Sequence, residues 1–523
     1  MADRTEKTPA GQRRKIPWLL LGEILAAAVI GALLFAFRAG GDLVTLTFYT
    51  PGNRTETKTV FSGALVELPQ GPDMEGYAFR GWRDSQGSLE LRRSVRVYED
   101  TAWAAVYAMP LETKAHMPYL KLRNGCFRPT DALTRREAVE MFYTLLNRDL
   151  TGAGRFADLP ENDELYPAAA TLKDLGVLRG QMLHPEDPLL RGELLEWLGC
   201  FFPPQGGSVR FSDLDGSSSW YGAFRTAALS GWIESGEDIA ARPEEPVTRL
   251  ETAQILNRAL GRCGDSVREL ENFPALGTIA DVSRKDPRYG DVAEAVLVHA
   301  YEDKKLGREL WTQAEPIPSR PEGFFFDGVR LHYIGSDGDP AIGCEARGLR
   351  FDENGVFTTG MPELDAYLFE VLESRVDPAK MKQKDMLRIL YEYVVTEFFY
   401  MNRSQYQPGE TGWAEEEAYV MFTKGSGNCY NYAAVFYELA RAIGCDARIY
   451  SGTISSGRPP LDSDGTKELL PEFTAHGWVE INLDGEFRLF DPDMEMANRG
   501  YLGSGAFFDR SQEFMRRYAY KHE

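Results

Sequence analysis

In Gly425-Ser426-Gly427-Asn428-Cys429-Tyr430-Asn431-Tyr432-Ala433-Ala434-Val435-Phe436-Tyr437, two glycines lead into a cysteine and a helical pattern follows. Ala433, Phe436, Tyr437 and Ala440 recur at helical spacing, which predicts a helix beginning at or just after Cys429. A thiol placed there lies at the positive end of the helix macrodipole, which favours thiolate. The first-turn N–H groups are then aimed at any oxyanion that forms beside the sulfur. A lone cysteine opening an amphipathic helix is more often simply buried, so a base has to be found elsewhere in the chain.

Of six histidines, only His476 and His522 follow Cys429. His522 stands in the last three residues, where fraying is expected. His476 opens the alternating run Gly477-Trp478-Val479-Glu480-Ile481-Asn482-Leu483, which reads as a strand. Asp484-Gly485 is a strong hairpin signal, and Glu486 to Phe490 forms the return. With a two-residue turn Leu483 faces Glu486, Trp478 faces Asp491 and His476 faces Asp493. Steps of two keep a sheet face, so His476 and Asp491 are diagonal neighbours about 7–8 Å apart. One imidazole nitrogen can then be held by Asp491 while the other faces Cys429, a Cys-His-Asp arrangement. Asp493 is the alternative orienter. Asn428 and Trp413 are the candidates for oxyanion stabilisation. The structural alternatives are a satisfied strand histidine at position 476 and a turn-initiating aspartate before Pro492.

Three segments carry a family resemblance, in this order: Gly427-Asn428-Cys429 through Ala440 to Gly452, Ala475-His476-Gly477-Trp478-Val479-Glu480, and Phe490-Asp491-Pro492. They are similar to the transglutaminase-like core, and the resemblance covers residues 361–523. It implies a C-terminal α+β papain-like fold with the nucleophile helix packed on an antiparallel sheet. It assigns Cys429 as nucleophile, His476 as base and Asp491 as orienter, with no metal and no organic cofactor. Cys445 stands where the family usually has an apolar residue and reads as core. The implied chemistry is acyl transfer on protein or peptide amides, to water (a peptidase or amidase) or to an amine (a transglutaminase). The connection from Ser455 to Thr474 is long enough for a lid or substrate loop.

Upstream, internal repeats precede this domain. Pro129, Pro185 and Pro243 recur roughly every 57 residues. Each introduces a helical pattern: Thr134-Arg135-Arg136-Glu137, Leu190-Arg191-Gly192-Glu193 and Thr248-Arg249-Leu250-Glu251. Between them lie Phe156-Ala157-Asp158-Leu159, Phe211-Ser212-Asp213-Leu214 and Ile279-Ala280-Asp281-Val282. Residues 112–302 resemble three S-layer homology repeats, α-helical units that bind secondary cell-wall polysaccharide. The resemblance puts Arg135, Arg191 and Arg249 at the polysaccharide contact, and a guanidinium suits a carboxylated sugar. The alternative is that each arginine pairs within its own repeat, through Glu137, Glu193 or Glu251. Residues 303–360 read as a β-hairpin linker with Asp-Gly and Asn-Gly turns. Residues 43–108 alternate apolar and polar around Val44, Leu46 and Phe48, and with Gly76-Tyr77-Ala78-Phe79-Arg80-Gly81-Trp82 resemble the internalin B-type repeat, a small β-grasp-like module. A plain β-domain with Trp82 and Tyr77 in its core is the simpler alternative.

The amino-terminal segment 1–15 is basic, and the apolar run 16–37, interrupted only by Glu23, would span roughly 33 Å as a helix. It reads as a transmembrane anchor with the tail cytoplasmic and the bulk of the chain extracellular, on the cell-wall side. A cleaved signal peptide is the alternative. The chain is therefore expected to be multidomain, single-pass in the cell membrane, with an envelope protein or peptide as substrate. A non-catalytic wall-binding scaffold with a silent C-terminal module is the rival reading. A net charge of −21 on 523 residues repels phosphate backbones and argues against nucleic acid as a partner. Six cysteines without a C-x-x-C pair argue against both a disulfide scaffold and a cysteine zinc cluster.

Overall fold

The structure is a computed structural model that describes residues 42–523 except 52–53, 76, 85–88, 91–93, 149, 263–272, 274–277, 305–307, 404, 456–472 and 523. The expected tail and anchor, 1–15 and 16–37, lie outside the described residues, as does most of the suspected lid. Among the described residues no helix is long and apolar enough to cross a membrane. The chain divides into two compact units. One comprises Met1–Leu111, Leu172–Arg179 and Arg191–Glu244; the other comprises Glu112–Thr171, Gly180–Leu190 and Glu245–Glu523.

The first unit begins with strands β1 (Leu43–Thr50), β2 (Arg54–Phe61), β3 (Ala64–Glu67), β4 (Ala78–Asp84), β5 (Leu89–Glu90), β6 (Ser94–Val97) and β7 (Thr101–Ala108). Five of them form a sheet in the order β2-β1-β7-β4-β5, with β1 and β7 parallel. The alternation in β1 does what its pattern predicts: Val44, Leu46 and Phe48 pack with Trp82 and Trp103 in the core. Tyr77, by contrast, is 38% exposed, because it lies just outside β4.

Among the described residues six helices follow in chain order: α1 (Arg135–Leu146), α2 (Tyr166–Asp174), α3 (Arg191–Gly199), α4 (Tyr221–Leu229), α5 (Arg249–Leu260) and α6 (Tyr289–Val296). Thr134 and Thr248 cap α1 and α5 by accepting the N–H of Glu137 and Glu251. The interleaved aspartates perform one task three times. Asp158 accepts the N–H groups of Leu183 and His184, Asp213 those of Ala241 and Arg242, and Asp281 those of Phe127 and Arg128. The second residue of each pair, just before the proline, has positive φ, near 52°, 51° and 59° for His184, Arg242 and Arg128. Within the second unit three buried residues close a ring of backbone hydrogen bonds: Leu133 donates to Val247, Val247 to Leu189, and Leu189 to Leu133.

The rest of the second unit opens with the hairpin of β8 (His299–Lys304) and β9 (Arg308–Ala314). A second hairpin, β10 (Gly323–Asp327) and β11 (Arg330–Ile334), turns tightly with Gly328 at φ 65°. A small sheet follows, made of β12 (Glu345–Ala346), β13 (Leu349–Phe351) and β14 (Phe357–Thr358). Then come α7 (Pro362–Arg375), α8 (Gln383–Glu397), β15 (Phe399–Tyr400), α9 (Ala414–Lys424), β16 (Ser426–Gly427) and α10 (Cys429–Ala442). The chain ends with β17 (Ala447–Ser455), β18 (Phe473–Leu483), β19 (Glu486–Phe490), α11 (Pro492–Leu502) and α12 (Gln512–Arg517). An antiparallel sheet β17-β18-β19 packs against α10, which is buried along nearly its whole length. Leu483 pairs with Glu486 and Val479 with Phe490, the register that a two-residue turn dictates. Asp484 and Gly485 both adopt positive φ to make that turn.

Candidate active site

Cys429 is the first residue of α10 and is 6% exposed. The helix start is built by asparagines. Asn428 caps it, accepting the N–H of Tyr430 at 3.1 Å, and the Asn428 N–H donates to Asn431 Oδ1 at 3.0 Å. Asn431 Nδ2 reaches on to the carbonyl of Glu417 at 2.9 Å, tying α9 to the start of α10. Gly427 is required here, since a Cβ would lie 2.4 Å from the Asn431 side chain. Gly477, next to His476, plays the same part on β18: a Cβ would come within 2.8 Å of the Tyr430 ring and 3.1 Å of its Cα. The missing side chain lets the strand approach the turn that carries Cys429.

His476 Nε2 donates to Asp491 Oδ2 at 2.7 Å, with both side chains buried. The opposite nitrogen, Nδ1, is 3.9 Å from Asp493 Oδ2. Cys429 Sγ, a His476 ring nitrogen and an Asp493 oxygen lie within 4.8 Å of one another. The structure thus brings Cys429, His476 and Asp491 together, with Asp493 on the far side of the ring from Asp491. Asp491 sits one residue beyond β19, where it also caps α11 by accepting the N–H of Met494 at 2.9 Å. Tyr520 donates its hydroxyl to Asp491 Oδ2 at 2.6 Å, and Tyr391 donates to the Asp491 carbonyl at 2.8 Å.

Burial pulls the pKa of His476 down, but the Asp491 carboxylate and the Cys429 sulfur outweigh it and hold the imidazole well above its ordinary value. Burial, with Asp491 adding to it and His476 opposing it, pushes Asp493 up to about 6. Burial and the Asp491 charge keep Tyr520 protonated well above the usual phenol range.

Several expectations need correction. Trp413 donates its indole N–H to the Glu410 carbonyl at 2.9 Å and stacks on Tyr406, so its donor is already engaged. The Asn428 backbone N–H is likewise engaged, donating to Asn431 Oδ1 at 3.0 Å. His522 is not frayed: its Nε2 lies 2.7 Å from Glu480 Oε1 and its ring packs over Tyr450. It is held because Lys521 pairs with Thr453 on β17, which also delivers Tyr520 to Asp491. Arg249 is 1% exposed; it donates to the carbonyls of Phe127 and Lys121 and pairs with Glu137 of a different copy, so it does not reach solvent. Arg135 donates to the Leu183 carbonyl at 3.1 Å, and Arg191 is a half-buried residue opening α3.

Tyr520, Tyr391 and Asn431 carry no sequence signal, because their roles arise from contacts 14 to 100 residues away. Equally unmarked in the sequence is the exposed apolar run Phe399, Tyr400 and Met401 beside the site, where β15 pairs with β16 just ahead of Cys429.

Residues 372–492 match the Transglutaminase-like superfamily. Over 221 residues the chain is 28% identical to the Cellulosome-anchoring protein of Acetivibrio thermocellus, covering 38% of this chain and 47% of that protein. It is 26% identical over 212 residues to Cell surface glycoprotein 1 of the same organism, covering 36% of this chain and 9% of that one. The chain therefore spans less than half the length of either curated relative. Similar solved structures include a putative cysteine protease from Cytophaga hutchinsonii (17% identity, 25% of this chain and 37% of that one, TM-score 0.17). Another is the periplasmic domain of TgpA from Pseudomonas aeruginosa (20% identity, 28% and 47%, TM-score 0.20). From residue 372 to 492 the chain is thus a transglutaminase-like core of mixed α/β structure, set in a multidomain protein.

Proposed function

We propose that this domain performs thiol-dependent acyl transfer on protein or peptide amides. The observation that carries the proposal is His476, whose Nε2 is held by Asp491 at 2.7 Å while its other edge faces the cluster containing Cys429 Sγ. In the proposed cycle the Cys429 sulfur attacks the amide carbonyl. The Cys429 N–H at the start of α10, which stands outside the Asn428–Asn431 capping bonds, receives the developing oxyanion. His476 gives its proton to the departing amine, leaving a thioester on Cys429, which water or a second amine resolves. Asp491 keeps the ring oriented and stabilises the imidazolium. The exposed run Phe399–Met401 offers apolar contact to the acyl donor.

The substrates in this reading are envelope proteins or peptides, with residues 16–37 anchoring the chain and residues 112–302 acting as S-layer homology repeats on wall polysaccharide. The hydrogen-bonded ring of Leu133, Val247 and Leu189 supports three equivalent repeats. The names of the two curated relatives support a surface location. With Arg249 enclosed, Arg135 and Arg191 are the better polysaccharide contacts. The test is mass spectrometry of thioester adducts after exposure to envelope peptides. An adduct on Cys429 that is absent from Cys429→Ala is expected. No adduct and no turnover, with wall binding intact, would leave a scaffold with a silent module.

A further inference from the structure

Four side chains that acyl transfer leaves unused meet in the second unit. His116 lies ahead of α1, Glu294 lies on α6, His299 opens β8 and Glu309 lies on β9. Their exposures are 4%, 0%, 6% and 5%. One ligand atom from each lies within 4.8 Å of all the others. His116 Nδ1 is 2.7 Å from His299 Nε2, 3.4 Å from Glu294 Oε2 and 3.5 Å from Glu309 Oε2. His299 Nε2 is 3.0 Å from Glu294 Oε2. Nitrogen and oxygen donors bound tetrahedrally to zinc at about 2.0–2.2 Å stand roughly 3.3–3.6 Å from one another; the two separations from His116 to the carboxylates match that spacing, and the two to His299 Nε2 are shorter.

The surroundings orient two of these atoms, His299 Nε2 and Glu294 Oε2, inward. His299 Nδ1 donates to the Leu297 carbonyl at 3.2 Å, which leaves the Nε2 lone pair for the centre. Trp311 Nε1 donates to Glu294 Oε1 at 2.8 Å, which leaves Oε2 for the centre. The ring of His116 stacks on Tyr301 at 4.0 Å and that of His299 on Trp311 at 3.9 Å. Such outer contacts fix tautomer and ring plane in metal sites. Glu294 Oε2 is fully enclosed and meets no donor in good hydrogen-bond geometry; its polar neighbours are the ring nitrogens of His299 at 3.0 Å and His116 at 3.4 Å. The buried Arg262 guanidinium, donating to the Glu294 carbonyl at 3.3 Å, supplies only one positive charge against two carboxylates. A divalent ion, or a proton shared by the histidines, has to supply the rest.

We propose that His116, Glu294, His299 and Glu309 form a closed, four-coordinate site for a divalent transition metal of the zinc type, which pins the segment before α1 to the β8–β9 hairpin. Two imidazoles and two carboxylates suit zinc, and four protein ligands leave no open position for catalysis. Cysteine spacing offers no hint of such a site because it uses no cysteine.

The test uses the full chain carrying Cys429→Ala, so that the Cys429–His476–Asp493 cluster cannot hold a metal through sulfur. The protein is stripped with chelator, reloaded with Zn2+, dialysed and assayed for metal; Co2+ loading is followed by visible absorption. Expected are a single zinc retained per chain, an unfolding midpoint that rises with Zn2+, and a tetrahedral Co2+ spectrum. In His299→Gln, retained zinc falls at least about tenfold. No retained zinc, an unfolding midpoint indifferent to Zn2+, or equal retention in His299→Gln would overturn the proposal in favour of a proton-bridged ion network. Should His299→Gln fail to fold, metal content and the Co2+ spectrum of the parent decide the matter alone.

Discussion

The two ends of α10 carry one cysteine each, and the pair shows what depth alone does to a thiol. Cys429 opens the helix and Cys445 follows its end; they are 6% and 4% exposed and belong to the same apolar core. Around Cys445, burial and then the charge of Asp446 push the thiol up to about 12. Cys429 instead meets the N-terminal end of the helix and an imidazole that Asp491 holds in place. Burial is common to both, so whatever separates their chemistry comes from what faces the sulfur.

The largest effect should come from the nucleophile itself. Cys429→Ala is expected to lower kcat on a peptide amide by at least about 10³-fold. Cys445→Ala should stay within about threefold, and equal losses would erase the contrast. Next is Asp491→Asn. Asparagine is as good a helix cap as aspartate, so α11 should persist by circular dichroism, while kcat falls about 10²–10⁴-fold through loss of the correct imidazole tautomer. Unchanged kcat would reduce Asp491 to a cap. Gly477→Ala brings a methyl within 2.8 Å of the Tyr430 ring; a stability loss of about 1–3 kcal/mol in urea titration is expected from such overpacking. The smallest effect is a pH dependence. Asp493 holds its proton more tightly in the folded chain, with its pKa pushed up to about 6. Its contribution to stability is therefore complete below about pH 4 and lost as pH rises through about 6. The stability of wild type relative to Asp493→Asn should fall across that window, and a flat difference would show that this carboxyl does not titrate as its burial demands.

The active-site geometry was legible where local rules fix distance. Asp484-Gly485 pins the register of β18 on β19, and that register carries Asp491 to the side of His476. The glycines before Cys429 announced the helix start. What stayed hidden depends on residues far apart in the chain. Nothing near Tyr520 marks it as a partner of Asp491; the pairing of Lys521 with Thr453 puts it there. Arg249 reads like a surface ligand contact because its motif is polar, yet the next copy's loop encloses it. His116 and His299 stand 183 positions apart, and no pattern short of the folded chain joins them.

The ring formed by Leu133, Val247 and Leu189 has a consequence for how such arrays evolve. Open stacks of repeats grow or shrink by duplication because each copy touches only its neighbours. Here each strand-like loop gives its N–H to one of the other two and takes an N–H from the remaining one, so all three donors and acceptors are consumed. A fourth copy would find no vacancy, and deleting one would leave a buried amide and carbonyl stranded. Adding or removing a loop therefore requires the closed ring to open and re-form, so change is easier within the loops than in their number.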